Sequence, residues 1–239
     1  MPKNLPLGLG GLVLLATSIL FLFFTILAGV SNSTPLNKTY FLRADTSGIT
    51  GARASSQWTY FYVCGDGNLD CTGAKAAMPF GWAWASGASN VPDGLGGSYG
   101  SGTTSYHFFY LWRFGWVFFL ITLFFEVLAF FSGFLACCGR LGAALSFFVA
   151  ALALVFHTVA SSLFTATFVK ARDRFHDAGR DASLGAYGFG WVWGSYAALL
   201  LATILFALGI RGDGSSGGVF GRKPSTRSLE GRRVKDEYS

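Results

Sequence analysis

Few residues of this 239-residue chain are of kinds that carry chemistry, and their spacing restricts what they can do. Cys64 and Cys71 hold six residues between them, whereas redox pairs usually hold two. A zinc site needs more ligands than these two thiols and His107, the one histidine of the same segment. The reading that remains is a disulfide, which stabilises by about 2–3 kcal/mol, chiefly by restricting the unfolded loop. His157 and Ser161 fall at i and i+4 on one helical face, a spacing open to an intramembrane serine hydrolase. No hydrolase motif surrounds them, and a pair that bonds across helices fits better. Glu126 is the lone formal charge between Phe114 and Ala136. A carboxyl in lipid costs at least a few kcal/mol, so it should face Ser, Thr or Trp N–H groups of neighbouring helices. Assembly and ion handling are its other possible roles, although a transporter would show several such groups and broken helices. These residues point to no enzyme, no metal and no cofactor.

The elements that must hold them follow from composition. Apolar residues make up 52% of the chain, 25 residues are Phe, and charged residues are 13%, against roughly 25% in ordinary soluble domains. The uncharged runs each exceed the ~20 residues that cross a bilayer. They place four spans at 8–30, 114–136, 141–168 and 189–210. A cleaved signal peptide is the alternative for the first, but the apolar stretch from Leu5 to Val30 outruns the ~7–15 residues of a signal h-region. The expected fold from these runs is an all-α transmembrane four-helix bundle.

Four crossings leave the N-terminus 1–7, the turn 137–140 and the tail 211–239 on one side, and loops 31–113 and 169–188 on the other. The terminal side holds nine Lys and Arg: Lys3, Arg140, Arg211 and six in the tail. The 169–188 loop holds four, Lys170, Arg172, Arg174 and Arg180, and the long loop exceeds the ~60 residues over which the positive-inside rule applies. The sequons at Asn32 and Asn37 and the Cys64/Cys71 pair suit an oxidising compartment, so the termini are expected in the cytoplasm. Asn37 is the better glycosylation acceptor, since Asn32 lies close to the bilayer. On the cytoplasmic side, Cys137 and Cys138 beside a span end invite palmitoylation, with two reduced, buried thiols as the alternative.

Within the long loop, Gln57 to Cys64 reads as a strand, bounded by Ser55-Ser56 and by Gly65-Asp66-Gly67-Asn68. Period-two alternation would put Trp58, Tyr60, Tyr62 and Cys64 on one face, with Cys71 opposite Cys64 in a hairpin. Seven glycines between Gly81 and Gly102 suggest a flexible excursion. In loop 169–188, opposite charges three apart suggest a self-paired continuation of the third helix: Lys170 with Asp173, Arg174 with Asp177, and Asp177 with Arg180. Gly190 and Gly194 form a GxxxG spacing for close packing, within the bundle or between protomers.

Four spans and a large first loop with Trp, Cys and Cys resemble the claudin-like tetraspan superfamily. More specifically, the chain resembles the fungal SUR-seven/PalI family. The matching stretches are Asn37-Lys38-Thr39-Tyr40, Asp45-Thr46-Ser47-Gly48-Ile49, Trp58-Thr59 with Cys64 and Cys71-Thr72, Tyr110-Leu111-Trp112-Arg113-Phe114, and Phe175-His176-Asp177 with Arg180, Ala182 and Leu184-Gly185. The tail of 29 residues from Arg211 departs from relatives that carry a longer one. The resemblance implies that the four-helix bundle carries a small extracellular antiparallel β-sheet of claudin-like kind, to which the second loop adds a strand, and structural roles in the loop for Trp58 and Arg113. It also implies a plasma-membrane organiser of eisosome-type cortical domains, with effects on cell-wall integrity and endocytosis. The alternatives are a PalI-like ambient-pH signalling subunit and a regulator of ion channels or transport through Glu126. Membrane lipids, copies of the chain and other cortical proteins are the expected partners. The net charge of +6 sits at a membrane surface rather than on a nucleic-acid face. Ser225, Thr226 and Ser228 lie among the tail's basic residues, where phosphorylation would weaken attraction to an anionic leaflet.

Overall fold

The computed structural model describes residues 5–31, 33–136 and 140–211. Four helices within them are long and apolar enough to cross a membrane: α1 (Leu5–Ile26), α2 (Tyr106–Ala136), α3 (Arg140–Asp177) and α4 (Ala186–Arg211). At 1.5 Å per residue, α2 and α3 are about 46 and 57 Å long, well over the ~30 Å hydrocarbon core. Both therefore project past it. Helix α2 begins at Tyr106, some two turns before position 114, and α3 continues to Asp177, some two turns beyond 168. Hydropathy marks only the lipid-length part of a helix, whereas the backbone ladder continues wherever packing supports it. Helix α1 stops at Ile26 instead, because Gly29 adopts a left-handed φ of 83° that turns the chain beneath Thr59.

The polar segments build a four-stranded antiparallel sheet in the order β3-β2-β1-β4. Its strands are β1 (Leu42–Asp45), β2 (Ser55–Trp58), β3 (Val63–Cys64) and β4 (Ala182–Leu184). The register sets Leu42 opposite both Trp58 and Leu184, so the segment between α3 and α4 supplies an edge strand. Close approach makes that possible. A Cβ at Gly185 would lie 1.8 Å from the Tyr40 carbonyl oxygen, and one at Gly188 would lie 2.3 Å from it.

The expected single strand from Gln57 to Cys64 is two strands. A tight turn at Thr59–Tyr62 separates them, closed by the Tyr62 carbonyl accepting from the Thr59 amide at 2.9 Å. The alternation of Trp58, Tyr60, Tyr62 and Cys64 is thereby broken. Burial of the turn's aromatic tip outweighs strand continuity: Tyr60 is fully buried against α2. Burial also pushes the Tyr60 phenol well above its ordinary pKa, so it stays protonated and donates to the Trp116 carbonyl at 2.6 Å. The Trp116 indole donates back to the Tyr60 carbonyl at 3.2 Å.

Two buried clusters meet end to end. The cluster at the sheet end is aromatic and includes Phe41, Trp58, Tyr60, Phe80, Trp112, Phe164, Phe168 and Phe175. The other is lined by small and aliphatic residues such as Leu15, Ala129, Ala143, Ala150, Ala153, Leu199 and Ala202. The glycine-rich stretch 81–102 is not a free excursion. Phe80, Trp84 and Leu95 within or beside it are buried, and the Trp84 indole donates to the Thr103 carbonyl at 2.9 Å. The glycines serve close contact, since a Cβ at Gly81 would lie 2.1 Å from the Thr103 carbonyl oxygen.

Candidate functional site

Two constellations carry the polar chemistry of the described residues. One lies where the two loops join. Trp58 is fully buried, stacks on Phe80 at 4.9 Å and donates its indole N–H to the Phe80 carbonyl at 2.9 Å. Phe175, from the end of α3, closes its other side at 5.9 Å. Cys64 and Cys71 form a disulfide, but Cys71 lies outside the strands, so the bond closes the Asp66–Asn68 turn rather than spanning a hairpin. Asn68, which sequence reasoning did not single out, is buried inside that turn and donates from Nδ2 to the carbonyls of Leu36 and Thr39, both at 2.8 Å. Its signal in the sequence is the Gly67-Asn68 pair, and in the structure Asn68 takes a left-handed φ of 56° there.

The loop stretch Asp45–Ile49 and the Arg180 segment are one structure. Arg180 donates to the Ser47 carbonyl at 2.6 Å, with further contacts to the carbonyls of Asp45 and Asn90. Asp45 accepts from the Ser47 amide at 2.9 Å, and the Ser47 hydroxyl and amide hold its carboxyl below the ordinary carboxylate range. The charges expected to pair along 170–181 do not. Asp173 pairs with its neighbour Arg172 at 2.7 Å, Lys170 crosses to His107 on α2 at 3.2 Å, and Arg180 goes to backbone carbonyls. Tertiary acceptors outcompete the weak pairing of solvated side chains on one helix. Arg113 stands on α2 rather than in the loop, exposed, with its guanidinium 4.5 Å from the Phe109 ring centre.

The second constellation lies inside the bundle and joins all four helices. Glu126 of α2 is fully buried, and its Oε1 lies 3.1 Å from the Ser18 hydroxyl of α1 and 3.4 Å from Nδ1 of His157 on α3. On its other side, His157 Nε2 lies 3.2 Å from the Ser195 hydroxyl of α4. The Ser18 hydroxyl is also 2.9 Å from the Ser195 carbonyl, which closes the ring. Of the His157/Ser161 pair expected to bond across helices, His157 does so, whereas the Ser161 hydroxyl donates to the His157 carbonyl of its own helix at 2.8 Å. Ser at i+4 satisfies that local acceptor at little cost in entropy. Glu126 was expected to find hydroxyls, and Ser18 is one. Its imidazole partner was missed, although His157 is the only other ionisable side chain of Asp, Glu, Lys, Arg or His type within the expected spans.

Ser195, His157 and Glu126 follow the order of a hydrolytic triad. All three are fully buried, however, so a substrate has no route to the hydroxyl. What the arrangement does is fix the rotation and depth of four helices against one another.

Gly190 and Gly194 do not act as a pair within the bundle. A Cβ at Gly194 would touch the Phe21 ring of α1 at 3.1 Å, whereas one at Gly190 would meet nothing within 4 Å. Gly190, one turn before Gly194, is exposed and borders an outward-facing groove beside Phe21 instead of packing against it. The glycines that admit neighbouring helices are Gly11, facing Phe206, Gly115, facing Phe164, and Gly133, facing Leu12. Asn37 sits in a short 3-10 turn, Leu36–Lys38, and Thr39 of its sequon is buried, accepting from the Trp191 indole at 3.1 Å. Asn32, Cys137, Cys138, Ser225, Thr226 and Ser228 lie outside the described residues.

The family model described as SUR7/PalI family matches residues 7–205, which takes in both loops and reaches from the first span into the fourth. The chain belongs to the SUR7/PalI family. It is 34% identical over 200 residues to Protein SUR7 of Candida albicans, covering 83% of this chain and 72% of that protein. It is 37% identical over 191 residues to the SUR7 family protein FMP45 of Saccharomyces cerevisiae, covering 77% of this chain and 60% of the relative. A third relative, also from Saccharomyces cerevisiae, is named an uncharacterized plasma membrane protein, YNL194C, and is 31% identical over 199 residues, with 81% and 64% covered. The chain thus spans about two thirds of the length of these SUR7-type relatives. No solved structure matches it.

Proposed function

We propose that this protein is a non-enzymatic organiser of the plasma membrane that helps define eisosome-type cortical domains by packing with lipid and with copies of itself. The observation that carries this reading is the family match over residues 7–205, from the first span into the fourth, with one relative named as a plasma membrane protein. The sealed Glu126–His157–Ser195 node supports a structural rather than catalytic use of those residues. Gly190, which the fold leaves open, lies beside Phe21, Tyr187 and Trp191 in an apolar groove of about 350 Å³ on the outer surface. That groove supports contact with lipid or with a second copy.

In this reading the sheet faces the cell exterior and both termini face the cytoplasm. The disulfide fits an oxidising compartment. The nine basic residues on the terminal side fit the inner leaflet. Effects on cell-wall integrity and endocytosis follow as consequences of disturbed cortical domains. A fluorescent fusion should occupy stable, immobile patches at the cell edge. Uniform, freely diffusing fluorescence would overturn the proposal. Protease treatment of sealed, right-side-out vesicles should spare the C-terminal tail; loss of the tail would reverse the orientation.

A further inference from the structure

The outer end of the bundle holds a charged groove to which the organising role gives no part. Helix α3 presents Lys170, Asp173, Arg174 and Asp177 along one face, at i, i+3, i+4 and i+7. The start of α2 presents His107 and Phe108 across from it, and the six residues line a cleft of about 350 Å³. Phe108 is buried and the five charged or titratable side chains are exposed. Salt bridges along α3 would be the default for such spacing. Instead, both signs remain open to the cleft. Lys170 is 3.2 Å from the His107 ring nitrogen and has no carboxylate partner among the described residues. Asp173 shares one carboxylate oxygen with Arg172 and leaves the other free. Neither Arg174 nor Asp177 has an ion pair or side-chain hydrogen bond among the described residues.

Depth narrows the ligand. Lys170 is the first charged residue after the uncharged run from Leu141 to Val169, so it marks where α3 leaves the hydrocarbon. On α2, Tyr106 and Tyr110 pack at 4.8 Å with Tyr99 beside them, and Tyr106 is 62% exposed. Exposed tyrosines in this position form the belt that sits at headgroup level. A cleft at that depth meets lipid headgroups at high local concentration. Its alternating cations and carboxylates, spaced along one face at the 5–6 Å typical of helix neighbours, complement a headgroup that carries a phosphate and an ammonium.

We propose that the groove between the start of α2 and the end of α3 binds the zwitterionic headgroup of a phospholipid in the leaflet on the sheet side. Lys170 and Arg174 take the phosphate, and Asp173 and Asp177 face the ammonium. The inference deepens the organising role by naming a lipid class and a place for it, and it rests on that role only in treating bound lipid as functional. A free phosphate ester shares the same chemistry, so the test separates the two sources.

The full-length protein is purified in mild detergent and offered phosphatidylethanolamine, a galactosyl diacylglycerol of the same chain length, or soluble phosphoethanolamine. Bound lipid is read by native mass spectrometry and stabilisation by thermal unfolding. Phosphatidylethanolamine should be retained and should raise Tm, and the Lys170→Gln/Arg174→Gln double variant should retain it at least about tenfold less, as expected for loss of charge-assisted bonds. Lys38→Gln, an exposed lysine on another element, should retain it as the parent protein does. Equal retention by the double variant, or equal binding of the phosphate-free galactolipid, would overturn the proposal. Stabilisation by soluble phosphoethanolamine matching that by the lipid would overturn the lipid assignment. Patch formation in cells is scored separately on the parent protein, so failure of the organising role and failure of this site give different results.

Discussion

The two ends of the bundle are held by different physics. At the sheet end, Trp58, Phe80, Trp112, Phe164, Phe168 and Phe175 interlock beneath a sheet that water reaches from above, so burial of apolar area contributes directly. At the opposite end the helices are solvated by lipid, which is as apolar as their own side chains, and burial between helices gains little. There, among the described residues, five of the eight buried core residues are alanines, Ala129, Ala143, Ala150, Ala153 and Ala202, beside Leu15, Leu199 and Phe206, and close approach takes the place of much of the bulk. The Glu126–His157 node lies within the bundle and uses polar specificity in place of either. The same chain thus builds the core beneath its sheet mainly from large rings and the opposite core mainly from alanine, with Phe206 the one ring fully buried there among the described residues.

Substitution can break this contrast or sharpen it. The largest effect is expected from Trp58→Ala, which removes a fully buried ring and orphans the Phe80 carbonyl: about 3–5 kcal/mol in thermal unfolding in detergent. If the loss were under 1 kcal/mol, the sheet would not depend on its aromatic floor. Cys64→Ser, or a reductant, should remove about 2–3 kcal/mol and leave the helical content unchanged by circular dichroism.

Glu126→Leu should lose about 1.5–3 kcal/mol, and a double-mutant cycle with His157→Leu should show strong coupling. Additive losses would mean that the two side chains do not act together. In the small-residue half, Gly133→Val should destabilise by about 1–3 kcal/mol because Leu12 Cδ2 lies 2.6 Å from the Cβ position, whereas Gly190→Val should leave Tm unchanged. The smallest effect concerns pH. The folded carboxyl of Asp45 titrates below its ordinary value of 3.8, so its contribution is present above that value and is lost as pH falls through the folded one. Asp45→Asn should flatten that part of the acid limb of a Tm-against-pH curve. A steeper limb would reverse the sign.

Hydropathy and charge spacing were sufficient for the four spans, for the division into two loops and for the Cys64–Cys71 bond, because each depends on a local property of the chain. Crossing the bilayer needs only an apolar run of sufficient length, and two cysteines so close in one loop have few other uses. The charges of 170–181 were misread for the same locality: helical spacing suggested self-pairing, but Arg180 found the carbonyls of another loop. The split strand from Gln57 to Cys64 was equally hidden. Its residues favour extended backbone throughout, and only the pocket beside Trp116 rewards a turn at Tyr60.

The sequence by itself determined how many times the chain can cross a membrane, which segments lie outside it, and that Glu126 must find a partner there. Only the tertiary structure decided that the partner is His157, that Gly133 rather than Gly190 admits a neighbouring helix, and that the second loop completes the sheet. Those outcomes depend on the rotation and depth of each helix relative to the others, and on which acceptors lie across the gap. A one-dimensional pattern fixes the faces of a helix but leaves open what each face meets.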